Sequence, residues 1–183
     1  MRMAIDAMSP VGLVELVNQW GTAPRAADGR SDKAYPAVAD LAGQLGVPDP
    51  AAGTLDAAEL ARVADRLHPV FAATEPAERA RLITDMLGET EVCPTLVMTA
   101  GRPRAGWLVA RRQHAVLAAA AIALRRYLAD HGPDRLGICT GRRCADVYLD
   151  TSPAGRRRFC SVTCQNRARV AAFRDRQAAV DRR

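Results

Sequence analysis

The sequence predicts a mainly α protein. An N-terminal helical domain with at most a short β element is followed by a small C-terminal treble-clef-like zinc finger, built from a β-hairpin and a helix. Three observations carry this. Apolar residues make up 49% of the chain but aromatics only 4%, and alanine supplies much of the apolar count, which suits helices packed through small side chains. Apolar residues recur at helical spacing along most of the first two thirds. Four of the five cysteines form two close pairs near the end, Cys139 with Cys144 and Cys160 with Cys164. The expected division is residues 1–132 for the helical domain and 133–183 for the finger.

The first helix is expected up to Trp20, with Ser9-Pro10 as cap and first turn and an apolar side of Val11, Val14, Leu16 and Val17. Residues 21–32 read as a polar loop. A second helix over 34–45 carries Val38, Leu41 and Leu45 and is closed by Gly46 in a left-handed turn, with Pro48 beyond. Residues 48–53 read as a loop. Thr54 is the expected cap of a third helix with Leu60, Val63 and Leu67 inward, kinked or ended at His68-Pro69. Thr74 caps a fourth, with Pro76 in its first turn, Leu82, Ile83, Met86 and Leu87 inward, and Gly88 as its stop. Residues 93–98 are the one strand expected outside the finger, with Cys93 as a buried small hydrophobe and a turn over 101–103. Residues 107–130 form the longest helix, nearly all apolar from Ala115 to Leu124 and so expected at the centre, and stopped by 131–133.

In the finger, residues 145–150 alternate as a short strand, 151–155 carry turn chemistry, and 156–159 are the expected returning strand. From Ser161 the pattern is helical, which sets Cys160 and Cys164 at a first turn whose free N–H groups favour thiolates. Four soft ligands in two tight turns suit one tetrahedral, structural Zn²⁺, with no open position for catalysis. Disulfides would need an oxidising compartment, and free thiols would not explain two pairs bracketing a hairpin. A redox switch that releases zinc stays open as an addition. His131 stands near the first pair as a substitute ligand, which four cysteines make unnecessary.

Charge separates the two parts. Residues 132–183 hold 12 arginines against 5 aspartates, a net +7, while residues 1–131 hold 14 cationic and 15 acidic residues, a net −1. A polyanionic partner is therefore expected for the tail alone. Arg156, Arg157 and Arg158 beside the hairpin are candidate phosphate contacts. Arg167, Arg169, Arg174 and Arg176 line the final helix, with Val170 and Phe173 turned inward, and Asn166 near its start is a candidate for a base edge or for a bond inside the finger. Residues 1–8 lack an apolar run of signal-peptide length, and Ala115–Leu124 is far short of a span, so a cytoplasmic protein without membrane contact is expected. No catalytic arrangement, internal repeat or nucleotide-binding glycine loop stands out, and the chain is not expected to be an enzyme.

The run from Cys139 and Cys144 through residues 148–152, 156–161 and 164–169 resembles the CGNR-type zinc finger, which ends bacterial proteins carrying the so-called ABATE domain. Family members usually have Gly where this chain has Gln165. Residues 13–18 resemble the opening helix of the ABATE domain, where an Asn follows an apolar stripe. Asn18 and Trp20 are candidate small-molecule pocket residues, against a reading in which Trp20 is core and Asn18 ends a helix. The resemblance implies a transcription regulator; the arginines of the tail add the expectation that the finger binds double-stranded DNA, with the helical domain sensing an effector or forming a homodimer. The alternative is a protein that binds a small molecule, for sequestration or resistance, or a protein partner, with the finger purely structural.

Overall fold

The computed structural model describes residues 2–48 and 55–180. In chain order it has β1 (Met3–Ile5), α1 (Pro10–Trp20), α2 (Thr22–Ala27), α3 (Ala39–Ala42), α4 (Ala57–Ala72), α5 (Pro76–Thr90), β2 (Cys93–Thr99), β3 (Arg102–Val109), α6 (Ala115–His131), β4 (Leu136–Ile138), β5 (Val147–Leu149) and α7 (Val162–Val180). Helix α6 is the axis. Every residue from Ala115 to Leu124 is buried, because its alanines let neighbouring elements approach on all sides. Among the described residues no helix is long and apolar enough to cross a membrane.

Helix α1 starts where expected. The Ser9 hydroxyl accepts from the Gly12 N–H at 2.9 Å, and Pro10 occupies the first turn, where its missing N–H costs nothing. Leu13, Leu16, Val17 and Trp20 form the buried face, while Val11 is exposed. Four expectations about the helices are corrected. Residues 22–27 are helical rather than loop: Thr22 donates from both its N–H and its hydroxyl to the Asp65 carboxylate, which anchors the turn to α4. The helix over 34–45 shrinks to α3, although Gly46 does take the left-handed conformation at φ 73. Helix α4 is capped by Asp56 rather than Thr54, which lies outside the described residues, as do 49–53. It runs through Pro69 to Ala72, since Val70 and Phe71 are buried beyond the proline. Helix α5 begins after Glu75, not Thr74, and continues past Gly88 to Thr90, whose hydroxyl donates back to the Met86 carbonyl at 2.9 Å.

Two further strands outside the finger join the expected one. The order β1-β3-β2 makes a three-stranded antiparallel sheet, with Ile5 opposite Trp107 and Pro94 also opposite Trp107. Residues 107–109 are therefore strand, and the long helix starts at Ala115. Residues 102 and 103 belong to β3, and the turn is Ala100-Gly101, both at positive φ, as a two-residue hairpin requires. Cys93 is exposed rather than buried.

The hairpin of the finger also differs from expectation. Strand β5 pairs with β4, not with residues 156–159, so the first cysteine pair lies in the hairpin's own loop. Leu136, Val147 and Leu149 join the hydrophobic core of the helical part, which runs on across the expected boundary.

Candidate metal centre

Each ligand is placed by a different local device. The Cys139 N–H donates to the Asp146 carbonyl at 2.8 Å, one step beyond the β4–β5 ladder, and so closes the loop that holds Cys139 and Cys144. Inside it the Cys144 N–H donates to the Gly141 carbonyl at 3.2 Å, and Arg143 sits at φ 56. Gly141 sits close to the cluster: a Cβ there would lie 3.3 Å from the Cys139 sulfur, a tight contact, and 3.6 Å from the Cβ atoms of Cys144 and Cys164, an ordinary one. Its N–H points at the Cys139 sulfur, 3.4 Å away. The second pair flanks the start of α7, where the Ser161 hydroxyl accepts from the Cys164 N–H at 3.2 Å.

The four sulfurs lie within 4.8 Å of one another. Cys144 to Cys160 is 3.7 Å, Cys160 to Cys164 is 3.6 Å, and Cys164 to Cys144 is 3.8 Å. A tetrahedron with Zn–S bonds of about 2.3 Å has edges of about 3.8 Å, so the cluster has the size of one zinc site, whereas a disulfide needs about 2.05 Å. The thiols by themselves do not favour four negative charges. Burial pushes the Cys144 thiol up to about 12 and also raises Cys160, beside the Cys164 sulfur. Burial acts upward on Cys139 too, but the N–H groups of Cys160 and Gly141 outweigh it and hold that thiol below its ordinary value. A divalent cation supplies the charge that lets all four ionise. The four cysteines therefore fit one structural zinc ion, with no coordination position left for water.

The segment between the pairs is held by a polar buttress that the sequence did not announce. Asp150 is only 1% exposed and accepts from the Ser152 N–H (2.9 Å), the Ser152 hydroxyl (2.6 Å) and the Arg157 N–H (2.8 Å). Burial raises its carboxyl, but these bonds from Ser152 and Arg157 outweigh it and hold it below the usual carboxylate range. The Arg157 guanidinium donates to the carbonyls of Leu149 (3.1 Å), Phe159 (2.9 Å) and Cys160, and lies 5.5 Å from the centroid of the Tyr148 ring. It ties β5 to the peptide that carries the third ligand. Thr140 donates to the Arg158 carbonyl from both its N–H (2.9 Å) and its hydroxyl (3.0 Å), which straps the first loop to the same segment.

The other expected site residues fall as follows. Arg156 and Arg158 are exposed beside the cluster, as are Asn166, Arg167, Arg169, Arg174 and Arg176 along α7. Val170 and Phe173 are exposed at 49% and 54%, so the inward placement expected for them is corrected. Helical spacing puts both on one outer stripe with Asn166, flanked on one side by Arg167 and Arg174 and on the other by Arg169 and Arg176. Asn18 clamps the finger to α1: its Nδ2 donates to the Val147 carbonyl (3.1 Å) and its Oδ1 accepts from the Val147 N–H (2.7 Å). Trp20 is core, at 2% exposure, with its indole N–H unpartnered among the described residues. His131 stacks on Tyr127 at 4.4 Å and is no part of the sulfur cluster.

Residues 135–177 match the CGNR zinc finger family, a span that takes in all four cysteines, the Asp150–Arg157 buttress and most of α7. Comparison of the chain with curated proteins gives no match.

Proposed function

We propose that the protein is a transcription regulator that binds double-stranded DNA through its zinc-supported tail. The helical part, read as ABATE-like from residues 13–18, would sense an effector or form a dimer, and no catalytic role is assigned. One observation carries the reading: α7 offers solvent a face whose centre is Asn166, Val170 and Phe173 and whose two flanks are arginine pairs. Among the described residues none of those four arginines makes an ion pair within the chain. A helix laid in a major groove meets phosphates on both sides and base edges at its centre, where an amide and apolar groups have partners. Exposed Arg142, Arg143, Arg156 and Arg158 extend the cationic surface around the metal, whereas Arg157 is committed to the buttress.

The test is binding of zinc-loaded protein to random-sequence duplex DNA across a salt series, beside an Arg167→Ala/Arg174→Ala variant. Tight binding that weakens steeply with salt is expected, with the slope reduced by about two in the variant, one for each phosphate left without its arginine. Absence of binding at low salt by fully loaded protein would sink the reading.

A second reading, small-molecule binding with a structural finger, draws support from a cleft of about 400 Å³ between α1, α6 and the finger. Ser9, Leu13, Tyr127, Asp130, His131 and Leu149 line it, and the Tyr127 hydroxyl is buried without a partner among the described residues. Neither Asn18 nor Trp20 is among its lining residues.

A further inference from the structure

The β2–β3 hairpin has two unlike faces. The register sets Pro94 opposite Trp107, Leu96 opposite Ala105 and Met98 opposite Pro103, so these six side chains share one side of the ladder. The opposite side holds Thr95, Val97, Gly106 and Leu108, half-buried or buried, together with Cys93, Thr99, Arg102 and Arg104, which are exposed. The side of Leu96 and Met98 is wholly apolar and continues, past its cover, the side of the sheet that Ile5 and Val109 turn into the core. Leu96 is 72% exposed and Met98 68%; Pro94, Pro103 and Ala105 are exposed as well, and only Trp107 is half-covered. Monomeric proteins rarely leave so continuous an apolar patch in water. Strand β2 also forms the sheet's edge and carries no charge from Cys93 to Thr99, which omits the usual protection of an exposed edge.

We propose that this face is where a second copy of the chain packs, apolar face on apolar face about a two-fold axis. Charge decides the occupant. The residues up to 131 sum to −1 and the hairpin's own Arg102 and Arg104 stand on its other side, so two copies can approach on this face, whereas the finger region at +7 repels itself. The other exposed apolar stripe, on α7, is unsuited to self-association, because arginines on both flanks would meet arginines of the copy in either orientation. The hairpin face has no charged member and is self-complementary, as a two-fold contact requires. Packing is face to face rather than edge to edge, because Pro94 has no N–H to extend the ladder. This names the surface for the dimerising role given above to the helical part. It stands whether or not the tail binds DNA.

The test is sedimentation equilibrium of zinc-loaded protein beside a Leu96→Glu/Met98→Glu variant and a Val162→Glu control, Val162 being equally exposed but in the finger. A dimeric wild type and control are expected, with the dimer dissociation constant of the hairpin variant raised about 100-fold. Both hairpin side chains are largely solvated, so the circular dichroism of that variant and its single zinc per chain should be unchanged. A wild type that stays monomeric up to its solubility limit would overturn the proposal. So would a hairpin variant as dimeric as the wild type, or a dimer lost only in the finger control. Loss of DNA binding with the dimer intact would count against the DNA reading alone.

Discussion

The helical part and the finger hold together by different means. Around α6 the means is burial: Ala115 to Leu124 contribute an unbroken buried run, and Leu13, Leu16, Leu60, Leu67 and Val70 pack into the same core. From residue 137 to 177, by contrast, only Cys139, Val147, Leu149 and Asp150 are buried, and two of those belong to the core of the helical part. Too little apolar surface is removed from water there to order forty residues, so the metal and the Asp150–Arg157 buttress must supply what burial does not. A basic surface left in water cannot also be folded by hiding it.

Removing the metal breaks the comparison most sharply. Zinc at a four-thiolate site contributes on the order of 10 kcal/mol or more to the fold it closes. Chelation or Cys164→Ser is therefore expected to abolish amide-exchange protection from about residue 150 onward while leaving α1, α4, α5 and α6 protected. Loss of protection throughout the chain would mean that the two parts do not fold by separate means. Arg157→Ala comes next. It strands three carbonyls, those of Leu149, Phe159 and Cys160, and is expected to cost about 2–4 kcal/mol and to weaken zinc binding about 10–100-fold in a competitive chelator titration.

Asn18→Ala removes the paired bonds to Val147 and should cost about 1–3 kcal/mol in chemical denaturation, with zinc stoichiometry unchanged. If zinc affinity fell as much as in Arg157→Ala, the clamp would belong to the metal site rather than to the junction. The smallest effect is expected from Asp150→Asn under acid. The folded carboxyl sits below its ordinary value, so its contribution is complete above the ordinary aspartate range and disappears as pH falls through the lowered value. Below that range wild type and variant should converge in stability. The comparison holds at pH values where both proteins keep their zinc, since acid that protonates the thiolates frees the segment that carries Asp150.

The metal site is legible in the sequence because ligand spacing is a local signal, and Cys139, Cys144, Cys160 and Cys164 converge as their spacing implies. The buried run on α6 is legible for the same reason. What escapes depends on partners distant in the chain. Leu136–Ile138 is too short to show a period and becomes a strand only beside Val147–Leu149, so by pattern alone residues 156–159 suit the returning strand better. Trp107-Leu108-Val109 is a continuous apolar run that suits a buried strand as well as a helix, and pairing with Met3–Ile5 decides it. Asn18 gives no sign of its work because the backbone it grips is 129 residues away. Val170 and Phe173 suit an inward face because apolar helical residues usually take one, but no described part of the chain covers α7 at that point.

The mounting of the four sulfurs has a mechanical consequence. Two ride in the loop of a hairpin whose strands are rooted in the main core, and two at the root of a helix with no buried residue among those described. A force drawn along α7 would therefore reach the rest of the molecule through metal–sulfur bonds, the carbonyls gripped by Arg157 and the Thr140–Arg158 strap, with hardly any apolar packing to share the load. The ion is the rivet of a lever arm: if it shears, the arm swings free while its mounting stays whole.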